Sequence, residues 1–235
     1  GYKCGGSDAF SGICANALCG RLTDRVTSFG TSAILTEVPE MFGAETLLMQ
    51  RCKNRETFDK CVDMINSFKQ YFFSHNQECY ENPSPGNHDG GITTLEEKSL
   101  GCIQKGGKAI ITDILKYGEH CKKPGLSLLT GPGNDIVSVT NLTAAGANII
   151  LFTTGRGTPL GAPVPTVKIS SNSSLYKRKS NWIDFNAGEL INNRDFENIT
   201  EEILNLVIEV ASGKKTKNEI NSYRDISIFK DGVIM

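Results

Sequence analysis

The sequence predicts an α/β protein in which helices cover both faces of a largely parallel β-sheet. Short apolar runs alternate along the chain with longer segments whose apolar residues recur at helical spacing. Several of the apolar runs lead directly into glycine-rich polar loops, as strands do at the edge of an open parallel sheet. With 235 residues, 39% of them hydrophobic, the chain is long enough to bury one sizeable core.

The first half of the chain contains three predicted helices and one strand. Apolar residues spaced three and four apart predict helices over residues 10–29 and 58–72. Between them, residues 31–36 form a compact apolar run typical of a buried strand. Prolines and glycines predict an irregular loop over residues 80–91, and a capping box of Thr94 and Glu97 begins a helix over 95–105.

The second half continues the alternation and completes the predicted sheet. Further helices are predicted over residues 136–147 and, with Thr200 as its cap, over 200–212. Further strands are predicted at residues 109–115, 126–130, 148–153, 166–170 and 226–229.

Charge and composition argue against several classes of partner. The 25 basic and 26 acidic residues leave a net charge of -1, so no overall field attracts nucleic acid or an anionic membrane. No apolar run approaches the ~20 residues that span a bilayer, and no signal peptide is recognisable. The eight cysteines include no Cys-x-x-Cys pair, so we expect reduced thiols and a cytoplasmic protein. Because the chain does not start with Met, we expect residues 1–235 to be one domain of a longer polypeptide.

Three polar loops are candidates for chemistry, each with a plainer alternative. In residues 152–159 a strand ends in hydroxyls, two glycines and Arg156, which suits carboxylate binding or a solvated surface turn. Residues 81–91 are dense in oxygen ligands and contain His88, which suits a cation or polyol, although ordinary turns have the same composition. Residues 4–12 form a Gly/Ser loop before a helix, which suits an anion or a metal held by Cys4 or Asp8.

The same loops carry a resemblance to a known family. The matching segments are Cys4-Gly5-Gly6-Ser7-Asp8, Glu81-Asn82-Pro83-Ser84-Pro85-Gly86-Asn87, Glu97-Lys98-Ser99-Leu100-Gly101, Gly131-Pro132-Gly133-Asn134-Asp135 and Phe152-Thr153-Thr154-Gly155-Arg156-Gly157. Further matches include residues 165–170, 182–188 and 209–219, so the resemblance covers essentially the whole chain. The chain resembles the C-terminal catalytic domain of the altronate/galactarate dehydratase family, and its last segments look like the altronate branch.

The resemblance implies a fold, a reaction and a cofactor. It implies a Rossmann-like, mostly parallel sheet of unusual connectivity, and a hydro-lyase that converts D-altronate to 2-keto-3-deoxy-gluconate with Fe²⁺ or Mn²⁺. The partners that it implies are a small sugar acid, upstream domains of the same chain and further copies of the protein. Related lyases that act on galactarate or sulfolactate remain alternatives, as does a non-catalytic ligand-binding or dimer-forming module.

Within that resemblance, each candidate residue has an expected role. The expected metal ligands are Cys4, Asp8, Glu81 and Asn82. The expected substrate-binding residues are Ser7, Asn87, Thr153, Thr154, Gly155, Arg156 and Lys168. Of these, Arg156 and Lys168 are expected to bind the substrate carboxylate. Lys98 or His88 is the expected acid or base, and a solvated lysine is the plainer interpretation of Lys98.

Overall fold

The computed structural model describes residues 1–5, 8–79 and 82–232, and a seven-stranded sheet forms its centre. The strands are β1 (Tyr2–Gly5), β2 (Ser32–Leu35), β3 (Ile111–Leu115), β4 (Gly125–Leu129), β5 (Ile150–Thr154), β6 (Thr166–Ser170) and β7 (Phe185–Asn186). Their order is β3-β4-β2-β1-β5-β6-β7, and every described pair is parallel. The predicted α/β class and parallel sheet are confirmed.

Helices cover both faces of this sheet. They are α1 (Asn16–Ser28), α2 (Glu45–Met49), α3 (Arg55–Ser74), α4 (Pro85–Asp89), α5 (Leu95–Ile103), α6 (Asp135–Ala144), α7 (Ser173–Arg178), α8 (Phe196–Ala211) and α9 (Lys217–Ile220). Side chains of α1, α3 and α8 share one apolar cluster with one face of the strands, whereas α6 packs on the other face. All five residues of β5 are buried because helices lie on both sides of it.

The strand order places a topological switch next to the first strand. From β1 the chain runs through α1 to β2 on one side, whereas β5, on the other side of β1, is reached from β4 through α6. Helices leave in opposite directions at such a point, and a crevice opens beyond the carboxyl ends of the strands. We therefore expect ligand-binding residues in the loops that follow β1, β2, β4 and β5.

Three strand predictions need correction, the first being that no strand was predicted at β7. The sequence analysis assigned no strand before residue 10, yet β1 pairs with both β2 and β5. Lys3 interrupts its apolar pattern, and ion pairs rather than solvent satisfy this buried lysine. The strand predicted at residues 226–229 is wrong, because this segment has no regular secondary structure and pairs with no described strand.

Two helix predictions also need correction. Within the described part of the predicted loop over residues 80–91, α4 forms, because Pro85 occupies its first turn and Ser84 and Asn87 form a capping box. Helix α8 begins at Phe196, where Asp195 accepts a hydrogen bond from Asn198 N at 2.9 Å. Thr200 lies inside that helix and is not its cap.

The cysteines are consistent with the expected thiols. No disulfide joins them in the part of the chain that the structure describes, and six of the eight are buried. Among residues 1–5, 8–79 and 82–232, no helix is both long and apolar enough to cross a membrane.

Candidate functional site

A small polar cavity opens beyond the carboxyl ends of β1, β2 and β4, and we call it the strand-end pocket. Its volume is about 170 Å³. Its lining residues are Cys4, Glu40, Ser84, Asn87, Lys98, Gly133 and Asp135. The pocket thus gathers two carboxyl groups, an amine and a thiol beside the switch point, where the fold class favours a ligand.

A larger cavity of about 810 Å³ lies between α3 and the ends of β3 and β4. None of the predicted site residues lines it. We assign the candidate site to the smaller strand-end pocket because it lies at the topological switch point and is lined by the predicted site residues Cys4, Asn87 and Lys98, although the other cavity is larger.

Lys98 is held in the wall of the strand-end pocket by two side chains. Its Nζ donates a hydrogen bond to Asn82 Oδ1 at 2.5 Å and lies 3.1 Å from Glu40 Oε1. Glu40 Oε2 also accepts hydrogen bonds from Asn82 Nδ2 at 3.4 Å and from the thiol of Cys102 at 3.6 Å. Lys98 is therefore a buried, oriented ammonium group, and its interpretation as a solvated lysine is wrong.

A buried charge cluster lies directly beneath the strand-end pocket. The carboxylate of Glu37 pairs with Lys3 through Oε1 and with Lys105 through Oε2, the latter at 3.1 Å. Glu37 Oε2 also accepts a hydrogen bond from Cys4 N at 2.9 Å. Burial alone would raise the pKa of Glu37, but Lys105 and Lys3 outweigh it and hold that pKa below its usual value.

Glu37 also has an unusual backbone. Its φ is +75°, in the left-handed region that non-glycine residues seldom adopt, and it lies two residues after the end of β2. Such a conformation costs on the order of 1–3 kcal/mol and persists where the surroundings enforce it, often at functional sites. Here the two lysines and the Cys4 amide enforce it.

The three candidate loops converge around the crevice. Ala9 N donates to Gly90 O at 2.9 Å, which joins the first loop to the proline-containing loop. A Cβ on Gly155 would lie 2.6 Å from the carboxyl carbon of Asp8, so only glycine permits this approach. Arg156 Nη2 donates to Gly86 O at 2.8 Å, which joins the third loop to α4.

Asp8 has a structural task in this junction. Its Oδ1 accepts hydrogen bonds from Ser11 N and Ser11 Oγ at 2.8 and 2.7 Å, at the start of the first helical segment. Its Oδ2 accepts one from Ser171 Oγ at 3.0 Å. Both carboxylate oxygens of Asp8 are therefore engaged within the protein.

Other predicted substrate-binding residues do not line the strand-end pocket. Thr153 donates to Asn16 Oδ1 at 2.7 Å, and the Thr154 hydroxyl accepts from Gly157 N at 2.9 Å, both in the interior. Lys168 lies on the same sheet face as Lys3, with Phe152 between them in register, and its Nζ donates to Thr158 O. Burial lowers the pKa of Lys168 to about 8, an effect that nearby Asp184 partly offsets.

The remaining predicted residues have different surroundings. His88 is exposed on α4 and does not line the strand-end pocket. Asn87 does line it, and its Oδ1 accepts hydrogen bonds from Ser84 N and Oγ at 3.0 and 2.9 Å. Arg156 has a side chain that is 58% exposed and is not among the residues that line the pocket. Ser7 and Glu81 lie outside the described residues.

The expected metal ligands do not assemble around one point in the described part of the chain. Cys4 lines the strand-end pocket and Asn82 contacts its Lys98, whereas Asp8 binds Ser11 and Ser171 in the neighbouring junction. Within residues 1–5, 8–79 and 82–232, no three His, Cys, Asp or Glu side chains are grouped to hold a metal ion. The described donors therefore do not fit a coordination shell, and the metal stays a prediction.

Sequence reasoning missed several polar residues of this region. Glu37 comes right after a predicted strand, so the rule that ligands lie beyond strand ends could have found it. Asp135 belongs to a segment noted for its resemblance, which also follows a predicted strand, but it was given no role. No local signal indicated Lys3, Glu40 or Lys105, because only the tertiary fold brings these charges together.

Comparison with known proteins decides the family. The family model described as D-galactarate/Altronate dehydratase, C-terminal, matches residues 1–234. The chain belongs to this family. Its altronate dehydratase relatives are 55% identical over 235 residues in Escherichia coli K12 and 57% identical over 236 residues in Bacillus subtilis 168, and each alignment covers 100% of this chain.

Other relatives place the chain within the D-galactarate/altronate dehydratase family. A galactarate dehydratase (L-threo-forming) of Escherichia coli is 36% identical over 217 residues, which cover 92% of this chain and 42% of that protein. The higher identity to the altronate dehydratases supports the altronate branch, as the sequence analysis predicted. The chain spans about half of the altronate dehydratases that it matches, 48% in both cases.

Proposed function

We propose that this chain forms part of a hydro-lyase that dehydrates a sugar acid, with D-altronate as the substrate and 2-keto-3-deoxy-gluconate as the product. The observation that carries the proposal is the 55–57% identity to altronate dehydratases along the whole chain. The polar strand-end pocket supports it, because a polyhydroxy acid needs several hydrogen-bonding groups and few apolar ones.

The residues of the pocket suit the chemistry of such an elimination. Loss of water needs a base for the proton beside the carboxylate and an acid for the departing hydroxyl. Lys98, held as an ammonium group against Glu40 and Asn82, donates the proton to that hydroxyl. Arg156, which is exposed and anchored on Gly86 of the neighbouring helix α4, binds the substrate carboxylate.

Two further parts of the proposal rest on the family. We propose that the active enzyme requires Fe²⁺ or Mn²⁺, as the resemblance implies. We also propose that upstream domains of the same polypeptide complete the active enzyme, because the altronate dehydratases are about twice as long as this chain.

The test is turnover by the full-length protein under reducing conditions, with D-altronate, galactarate and sulfolactate supplied separately. We expect altronate to give a 2-keto-3-deoxy acid, detected by mass spectrometry, and the activity to disappear with a chelator and return with Fe²⁺ or Mn²⁺. Preferential turnover of galactarate or sulfolactate would replace the substrate. Absence of turnover with all three acids would refute the proposed reaction.

A sulfolactate substrate remains an alternative because a specific relative supports it. A protein named (2R)-sulfolactate sulfo-lyase subunit beta, from Chromohalobacter salexigens, is 32% identical over 233 residues. The lower identity makes this the second candidate, and the same substrate panel separates the two.

A further inference from the structure

Asp135 lines the strand-end pocket and has no role in the reaction as described so far. It is the first residue of α6, and its backbone position is secured because Asn134 Oδ1 accepts a hydrogen bond from Val137 N at 3.3 Å. Its side chain is 39% exposed and lines the cavity together with Lys98. A ligand in the pocket would therefore lie between a carboxylate and an ammonium group.

Lys3 fixes one side of the Asp135 carboxylate. The buried Lys3 Nζ lies 2.8 Å from Asp135 Oδ1 and also donates to Cys4 O at 2.5 Å and Gly133 O at 3.2 Å. Lys3 is thus a buried counterion to this oxygen of Asp135.

The other oxygen of Asp135 differs from those of Glu40. Both Glu40 oxygens are engaged, one by Lys98 and the other by Asn82 and Cys102. Asp135 Oδ2 has no hydrogen-bond or ion-pair partner among the residues that the structure describes. Of the two carboxylates among the described residues that line the pocket, Asp135 is thus the one with an oxygen available to a proton on a bound molecule.

We propose that Asp135 is the general base of the reaction, with Lys98 as the acid across the pocket. This role rests on the proposed function. Asp135 takes the proton from the carbon beside the substrate carboxylate, and the electrons of that C–H bond form a double bond to the next carbon. The C–O bond to the leaving hydroxyl breaks, and the hydroxyl departs as water with a proton from Lys98. The enol then tautomerises to the 2-keto-3-deoxy acid.

Full-length Asp135→Asn tests the role. We expect kcat with altronate to fall by about 10²- to 10⁴-fold, the usual contribution of a general base. Binding of the 2-keto-3-deoxy product, measured by calorimetry, should remain near that of the wild type. Glu197→Gln, which removes another first-turn helical carboxylate that does not line the pocket, is the matched control and should keep wild-type turnover.

Chemical rescue separates a base from a structural carboxylate. In full-length Asp135→Ala, added formate should restore part of the lost turnover, because formate can occupy the vacated space and accept the proton. Absence of rescue, or loss of product binding in Asp135→Asn, would overturn the assignment in favour of a structural role. Near-wild-type turnover of Asp135→Asn would overturn it as well, whereas an inactive wild type would refute the proposed function and this role together.

Discussion

At the scale of single residues, the molecule places charges where a core normally excludes them. Lys3, Glu37 and Lys105 each have 1% of their side chains exposed, and their charges compensate one another only in part. The ammonium groups of Lys3 and Lys105 both pair with the one buried carboxylate of Glu37, and the partly exposed Asp135 supplies a second carboxylate to Lys3. Removing one member of such a cluster leaves an uncompensated charge in a medium of low polarity.

We therefore expect Glu37→Gln to destabilise the protein strongly. A neutral amide cannot balance Lys3 and Lys105, and breaking a buried ion pair typically costs about 3–5 kcal/mol. Urea unfolding of the purified chain measures the change. Glu197→Gln is the comparison, because this half-exposed carboxylate pairs with Arg25 on the surface, where a loss of ~1 kcal/mol or less is usual. Equal effects of the two substitutions would show that the buried cluster contributes little.

Lys168 gives a prediction about pH. Burial lowers its pKa from the usual 10.5 to about 8, so between these values the unfolded chain binds more protons at this residue than the folded chain. Folding becomes more favourable as pH rises through that window, because the cost of burying the charge disappears. The stability of Lys168→Met relative to the wild type should therefore decline from pH 8 to pH 10.5. Urea midpoints measured at both pH values test this, and a constant difference would contradict it.

At the scale of elements, residues 225–232 run across the surface of two helices, and we call this segment the strap. It is tied to Gly161 through Asp225 N at 2.8 Å and to Thr140 on α6 through Ser227 N at 3.1 Å. It ends against α3, where the ring of Phe229 lies 5.4 Å from that of Tyr71. The segment has the alternating pattern of a strand, but it lies across helices instead of beside a sheet edge, which is why its prediction as a strand failed.

Phe229→Ala should release the end of this strap. Phe229 contacts Phe68, Tyr71 and Tyr117, and losing these contacts removes about 1–3 kcal/mol of the stabilisation that comes from burying its ring. Cleavage by trypsin after Lys230 should then be roughly tenfold faster, since ~1.4 kcal/mol is a factor of ten in an equilibrium. Ile228→Ala, at a neighbouring side chain that is 68% exposed, should leave the cleavage rate unchanged. Equal rates in both variants would mean that Phe229 does not hold the strap.

At the scale of the whole molecule, hydrophobic periodicity predicted five strands of the sheet but missed β1, β7 and the buried charges. The strands at β2 to β6 were recognisable because apolar runs flanked by turn residues mark a strand buried on both faces. Strand β1 was not, since Lys3 resembles a loop residue until Glu37 and Asp135 are brought beside it. In the site, loop composition and the resemblance led to Cys4, Asn87 and Lys98, which line the strand-end pocket. Glu40 and Lys105 come from distant segments, and their meeting depends on packing that no local pattern encodes.

The uniform direction of the strands has a further consequence. Because every described pair of neighbouring strands is parallel, the loops that follow the strands lie at one edge of the sheet, and the loops that precede them lie at the opposite edge. The loops that follow the strands can vary in length and charge without disturbing the pairing between the strands. The residues that line the strand-end pocket can accordingly change while the sheet that positions them is kept.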